Sequence, residues 1–243
     1  MIRTTIPAAA LIAAAALPAL PACAGEWGGV FSAVTLASEY RYHGISSSDR
    51  QPAVQAYVHW WRPDGFYLGA FGTQVDYGYA QSPSFEIDVY AGKTWQLDKG
   101  RTELKAEAMY TAFPDDETPG PTFDFVQVKV AAKRTAGKLA VGGAASFVPD
   151  APFLSRRGFR AEAETTYTVR PNLRLKALGG RIWTERGQDR AFWELGASTT
   201  WKHLTFEVRY VDTSLSRRQC GFNRDICGPA VVGAITAALP PIL

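Results

Sequence analysis

The sequence predicts an all-β chain, a transmembrane up-and-down antiparallel β-barrel of about twelve strands that follows a cleaved signal peptide. Three observations predict it: apolar and charged residues alternate with period two, the connections alternate between short and long, and the chain opens on an export segment. Composition agrees. With 47% hydrophobic and 20% charged residues the chain is too apolar to stay disordered, and three cysteines are too few for a disulfide scaffold. Lys and Arg total 26 against 23 Asp and Glu, a mixture that gives no support to nucleic-acid binding.

The chain divides into residues 1–24, a signal peptide, and 25–243, the barrel. Arg3 supplies a basic start, Ile6 to Leu20 an Ala/Leu/Pro run too short to span a bilayer as a helix, and Ala22-Cys23-Ala24 a small-x-small cleavage site. Leu20-Pro21-Ala22-Cys23 reads alternatively as a lipidation box on Cys23.

The strands follow in order. Val30–Tyr42, Ala53–Trp61 and Phe66–Tyr77 open the series. Phe85, Ile87, Val89 and Ala91 then share one parity, with Glu86 and Asp88 on the other. Leu104, Ala106, Ala108 and Tyr110 oppose Glu103, Lys105 and Glu107. Phe125–Lys133 and Leu139–Val148 come next; the latter and Phe66–Tyr77 are small or aromatic on both faces, so their facing stays open. Phe159, Ala161, Ala163, Thr165 and Tyr167 oppose Arg160, Glu162 and Glu164. Leu173–Trp183 is followed by Trp193, Leu195, Ala197 and Thr199 against Glu194, Gly196 and Ser198. Leu204, Phe206, Val208 and Tyr210 oppose Glu207 and Arg209, and Ala230–Leu239 closes the set. Successive side chains of a strand point to opposite faces, so each segment carries an apolar and a polar face.

Links after the even strands are short (Arg62-Pro-Asp-Gly65, Gln96–Arg101, Arg134–Gly137, Arg170–Asn172, Lys202-His203), and those after the odd strands are longer. That is the rhythm of short periplasmic turns and long outer loops. Trp60, Trp61, Phe66, Trp95, Phe113, Phe123, Trp183, Phe192 and Trp201 lie near strand ends, as interfacial girdles require.

Val34-Thr-Leu-Ala-Ser-Glu-Tyr-Arg-Tyr-His-Gly-Ile-Ser-Ser-Ser-Asp49, Gln51-Pro-Ala-Val-Gln55, Gly65-Phe-Tyr-Leu-Gly69 and Glu86-Ile-Asp-Val-Tyr-Ala-Gly92 resemble the TorF family of porin-like outer-membrane proteins. The resemblance covers residues 34–92; His43 stands where that family carries Arg, and the chain ends in Pro-Pro-Ile-Leu where outer-membrane barrels typically end in Phe. It implies a Gram-negative outer-membrane location and a barrel, with no defined substrate.

The polar parities assign a lumen of Glu86, Asp88, Glu103, Lys105, Glu107, Lys129, Lys133, Arg160, Glu162, Glu164, Arg174, Lys176, Glu194, Lys202, Glu207 and Arg209. Acids and bases balance, which suits either a narrow wet pore or an ion-paired plug. A porin for small hydrophilic solutes is the leading reading; a non-conducting structural barrel and a lipase-like barrel enzyme are the alternatives. For catalysis, Ser46, Ser47 and Ser48 stand beside His43, but no Gly-x-Ser-x-Gly elbow exists. His43 reads as a loop or rim residue and His59 as a girdle or wall residue. The acidic Asp115-Asp116-Glu117 lacks calcium-loop spacing and reads as solvated surface, so no cofactor or metal is expected. Arg156-Arg157 and Arg217-Arg218 could meet lipopolysaccharide phosphates, beside membrane lipid and the barrel-assembly machinery as partners. Cys220 and Cys227, seven apart with no histidine near, predict a loop-closing disulfide.

Overall fold

A computed structural model describes residues 28–78, 82–117, 123–151, 156–220 and 226–240. The signal peptide, its cleavage site and Cys23 lie outside the described residues.

Fourteen strands are described: β1 Gly29–Ala37, β2 Arg41–Tyr42, β3 Ile45–Ser46, β4 Ala53–Trp61, β5 Phe66–Gln74, β6 Phe85–Leu97, β7 Thr102–Ala112, β8 Phe125–Ala136, β9 Leu139–Ala151, β10 Arg156–Arg170, β11 Leu173–Thr184, β12 Arg190–Trp201, β13 Leu204–Thr213 and β14 Ala230–Ala238. All but β2 and β3 join one closed, antiparallel, twelve-strand barrel in which each strand pairs with its neighbours in sequence and β1 pairs with β14. Closure leaves no unpaired edge, the condition for a sheet to cross lipid.

Alternation sets the two surfaces. On β8, Val128 and Val130 are 47% and 58% exposed, whereas Lys129 between them is 8% exposed. On β12, Leu195 is exposed and its neighbour Glu194 is half-buried. The exposed set (Leu36, Val58, Leu68, Val89, Leu175, Val208, Ile235) makes an apolar outer belt, and charged and hydrogen-bonding groups are buried inside. An aqueous-protein core has been turned inside out, as lipid demands.

The two strands of open facing are settled. β5 turns Tyr67, Phe71 and Thr73 inward and exposes Phe66 and Leu68; β9 exposes Leu139, Val141 and Phe147 and turns Gly142, Ala144 and Ser146 inward. The turn after β4 is closed by Gly65 N–H donating to the Arg62 carbonyl (3.0 Å). Gly65 has φ 91°, and a Cβ there would strike the Thr94 carbonyl oxygen, so only glycine fits.

Several elements depart from the sequence expectation. The first strand ends at Ala37, not Tyr42, because residues 38–52 leave the wall and fold inward, with β2 and β3 as a two-stranded hairpin. The third ends at Gln74, and β9 and β10 run through residues expected to be loop, to Ala151 and from Arg156. Trp61, Phe113 and Phe192 are buried rather than in an outer girdle, while Phe66, Trp95, Trp183 and Trp201 are exposed.

Candidate functional site

Residues 38–52 (loop 1) fill the barrel mouth. The Arg41 side chain is fully buried; Nη1 donates to the carbonyls of Gly228 (2.6 Å) and Gly44 (3.1 Å), and Nε lies 3.0 Å from Glu39 Oε1. Ser46 N–H donates to the Ile226 carbonyl, and Ser47 N–H to the Tyr40 carbonyl. Cys220 and Cys227 form a disulfide with Cα atoms 6.0 Å apart, which braces the segment bearing those Ile226 and Gly228 acceptors. The hairpin tip is held from the wall: Arg160 Nη1 donates to the Tyr42 hydroxyl (2.9 Å) and lies 3.5 Å from His43 Nδ1, while His43 Nε2 is 3.7 Å from Glu162. His43 is therefore a buried lumen residue, not a rim residue. Burial, and then the positive charges of Arg160, Arg190 and Lys129, hold its pKa well below the ordinary 6.5. The Tyr40 hydroxyl donates to Glu86 Oε1 (3.0 Å), and burial together with that carboxylate raises the phenol's pKa.

Below the loop, charges pair both along single strands and between strands. Glu162 meets Arg160 (3.3 Å) and Lys129 (3.4 Å), and Lys105 meets Glu107 (2.9 Å). Further round, Lys176 meets Glu164 (3.5 Å), and Arg209 meets Glu194 (3.0 Å) and Glu207 (3.4 Å). Lys129 and Glu162 belong to β8 and β10, on either side of β9; Ser146 and Ala144, their register partners, are small enough to let the two long side chains meet over that strand. The inward small residues of β9 thus have a reason.

The remaining sequence-assigned lumen residues are placed differently. Glu103 accepts from Gln96 (2.8 Å) near the short-turn end, Lys133 lines a cavity of about 30 Å³ with Glu103 and Glu164, and Arg174 is half-buried. Glu86 and Asp88 are buried with no ion pair within 4.0 Å among the described residues. Lys202 is a correction. It is exposed, in the two-residue turn after β12 with φ 55°, and its ammonium lies 4.9 Å from the Trp201 ring centroid. The strand's alternation stops at Trp201, so parity no longer governs Lys202.

An aromatic wall was not anticipated. Of the two places expected for His59, girdle or wall, it takes the wall: it is buried, Nδ1 is 3.3 Å from the Tyr90 hydroxyl, and its ring stacks on Tyr67 at 5.2 Å. Tyr67 donates to Glu107 (3.0 Å) and lies under the Lys105 ammonium (4.8 Å). The register pairs Gly69 with Tyr90 and Gly92 with Tyr67. A Cβ at either glycine would collide with the tyrosine ring opposite. Reciprocal Gly–Tyr pairing was the signal available in the sequence.

At the mouth, a cavity of about 280 Å³ lies between loop 1 and the wall, lined among others by Tyr40, Glu86, Asp88, Phe113, Phe125 and Arg190. Two of the three serines beside His43 are bonded locally: the Ser48 hydroxyl accepts from Tyr40 N–H and donates to the Gln51 carbonyl, and the Ser46 hydroxyl accepts from Arg50 N–H. Asp115 accepts from the backbone of Ser84 (2.9 Å) and Phe85 (3.3 Å). Among the described residues no three His, Cys, Asp or Glu converge as a metal site.

The twelve-strand wall, apolar outside, thus encloses a polar, ion-paired interior. The profile described as "Bacterial protein of unknown function (Gcw_chp)" matches residues 25–234. The chain belongs to this Gcw_chp family. No curated protein matches it in sequence. Among solved structures, the NanC porin superposes with a TM-score of 0.59 at 10% identity, covering 86% of this chain and 99% of that one. The KdgM porin gives 0.57 at 9% identity, with 87% and 99% covered. An outer-membrane channel from Pseudomonas putida F1 gives 0.53 at 14% identity, with 92% and 98% covered. At these identities the Gcw_chp chain shares their barrel fold.

Proposed function

We propose that the protein is an outer-membrane channel for small hydrophilic solutes, with a lumen narrowed by loop 1 and lined by the paired charges beneath it. The observation that carries this reading is the division of the wall, apolar outside and ion-paired inside, with one cavity at the mouth and a smaller one beside Lys129 and Glu162. Porins and channels among the structures of like fold, and the TorF resemblance of residues 34–92, support it. An outer-membrane location brings lipid, lipopolysaccharide and the assembly machinery as partners, with the exposed Arg156 and Arg157 on the loop side.

A closed structural barrel is the second reading, favoured by the number of bonds that tie loop 1 into the mouth. Planar-bilayer recording of the refolded protein separates the two. The channel reading expects small, reproducible conductance steps, and a shift toward anions when Glu103→Gln and Glu107→Gln remove two inward carboxylates. Silence across repeated insertions of folded protein overturns it in favour of the closed barrel. A lipase-like barrel would instead release fatty acid from micelles.

A further inference from the structure

The mouth cavity holds three ionisable side chains that the interior's ion pairing leaves out. Asp88, 1% exposed, accepts the Thr111 hydroxyl at Oδ1, but Oδ2 is buried without a partner. Glu86, two residues along the same strand and equally inward, accepts the Tyr40 hydroxyl. Neither acid has a basic group within ion-pair distance among the described residues. Arg190 lines the same cavity, its Nε is buried without a hydrogen-bond partner, and it too makes no ion pair there.

Their positions keep them from neutralising one another. Counting round the closed ring, β6 and β12 are six strands apart in either direction, so the acids and Arg190 face each other across the barrel's diameter. Between them the lining is largely apolar: Phe113, Phe125, Met109 and Ile226.

From this we infer that the cavity is a binding site for a small zwitterion with an apolar side chain, of the amino-acid and short-peptide class. Its ammonium is taken by Asp88 and Glu86, its carboxylate by Arg190, and its side chain by the aromatic walls. Buried polar atoms without partners are costly, and a ligand that supplies partners to Asp88 Oδ2 and Arg190 Nε recovers that cost at both ends. A divalent cation fits poorly: the acids are two, no third His, Cys, Asp or Glu joins them among the described residues, and calcium takes six to eight oxygens. A volume of about 280 Å³ lies just under the roughly 300 Å³ at which ligand pockets begin, so the ligand must be small. The inference deepens the channel reading, on which it rests only for the route the ligand takes.

The test is calorimetric titration of the full-length barrel, folded in detergent, with L-phenylalanine, phenethylamine, 3-phenylpropionate and calcium chloride as probes. Phenylalanine should bind, and each singly charged analogue should bind about tenfold or more weakly, the loss expected for one charged hydrogen-bonding end. Asp88→Asn should bring phenylalanine down to the level of 3-phenylpropionate while keeping its preference over phenethylamine. Arg190→Gln should do the reverse, a crossed pattern that mere destabilisation does not produce. Glu86→Gln serves as the second acid variant, and the wild-type ranking decides alone if a variant fails to fold. Equal binding of the three organic probes, no binding at millimolar concentration, or displacement of phenylalanine by calcium overturns the inference. Because binding is read without conductance, silent bilayers would remove the channel reading and leave the site standing, and absent binding would do the opposite.

Discussion

Replacing Arg41 by Ala should release loop 1 from the mouth without melting the barrel. The guanidinium has 0% side-chain exposure, donates to two backbone carbonyls at 2.6 and 3.1 Å, and neutralises Glu39, itself 7% exposed. Removing one member of a buried pair leaves the other charged and unsolvated, at a cost of about 3–5 kcal/mol. None of those bonds belongs to a barrel ladder, so the loss falls on the loop's docking equilibrium. At about 1.4 kcal/mol per decade, the undocked population rises by roughly two to three and a half powers of ten. Limited proteolysis of the folded protein should therefore cut Arg41→Ala within residues 38–52 at protease levels that leave the wild type intact, and the channel reading expects larger conductance steps from the same variant. Replacing Glu39 and Arg41 together by apolar residues of similar size should recover much of the resistance, because no orphan charge remains. Equal resistance of Arg41→Ala and wild type would refute the claim that this side chain holds the loop.

Ala163 lies mid-way along β10 on the exposed face, so Ala163→Lys should cost about 2–4 kcal/mol in lipid folding titrations; a negligible cost would reverse the facing of β10. His43 binds its proton less readily in the native state than in the unfolded chain, whose pKa is about 6.5. The folded state is therefore unaffected above that value and loses stability as pH falls below it, by up to about 1.4 kcal/mol per pH unit. Loop 1 should become more protease-sensitive on acidification, and His43→Gln should flatten that slope; an unchanged slope would clear His43 of the effect. For the disulfide, peptide mapping without reductant should give the linked 220–227 peptide lighter by two hydrogens, and Cys220→Ser with Cys227→Ser should loosen this loop by about 2–3 kcal/mol while the barrel's melting stays nearly constant. Free thiols in the native protein would sink it.

The barrel was legible because lipid imposes a rule on every strand: one face must be apolar. Val128, Lys129 and Val130, or Glu194 and Leu195, state that rule in three letters or two. Loop 1 was not legible for the complementary reason. Arg41, Tyr42 and His43 look like a solvated loop, and in a soluble protein polarity would place them outside. Inside this barrel the lumen is polar as well, so polarity does not distinguish a loop in solvent from one folded into the mouth. The misassigned rings repeat the point. Trp61 shares its parity with Gln55 and His59, and Phe192 shares Glu194's, so their inward course was written in the alternation, but proximity to strand ends suggested a girdle. Lys202 failed the other way, by extending a parity past the strand that generated it.

The joint between β1 and β14 carries a consequence for how the molecule comes together. Every other ladder links successive strands of the wall, which lie near one another along the chain. This one matches Ala33 with Ala238 and Ala37 with Ala234, with Thr35 and Thr236 hydroxyls 2.8 Å apart in its middle. No hairpin can nucleate it: its paired threonines stand 201 residues apart, and the entropy cost of bringing them together is smallest once the intervening strands have paired. The curved sheet should accordingly exist as an open ribbon until a late, all-or-none zippering makes it a cylinder. Lesions at Thr35 or Thr236 would slow that step while leaving the eleven earlier pairings to form at their usual pace.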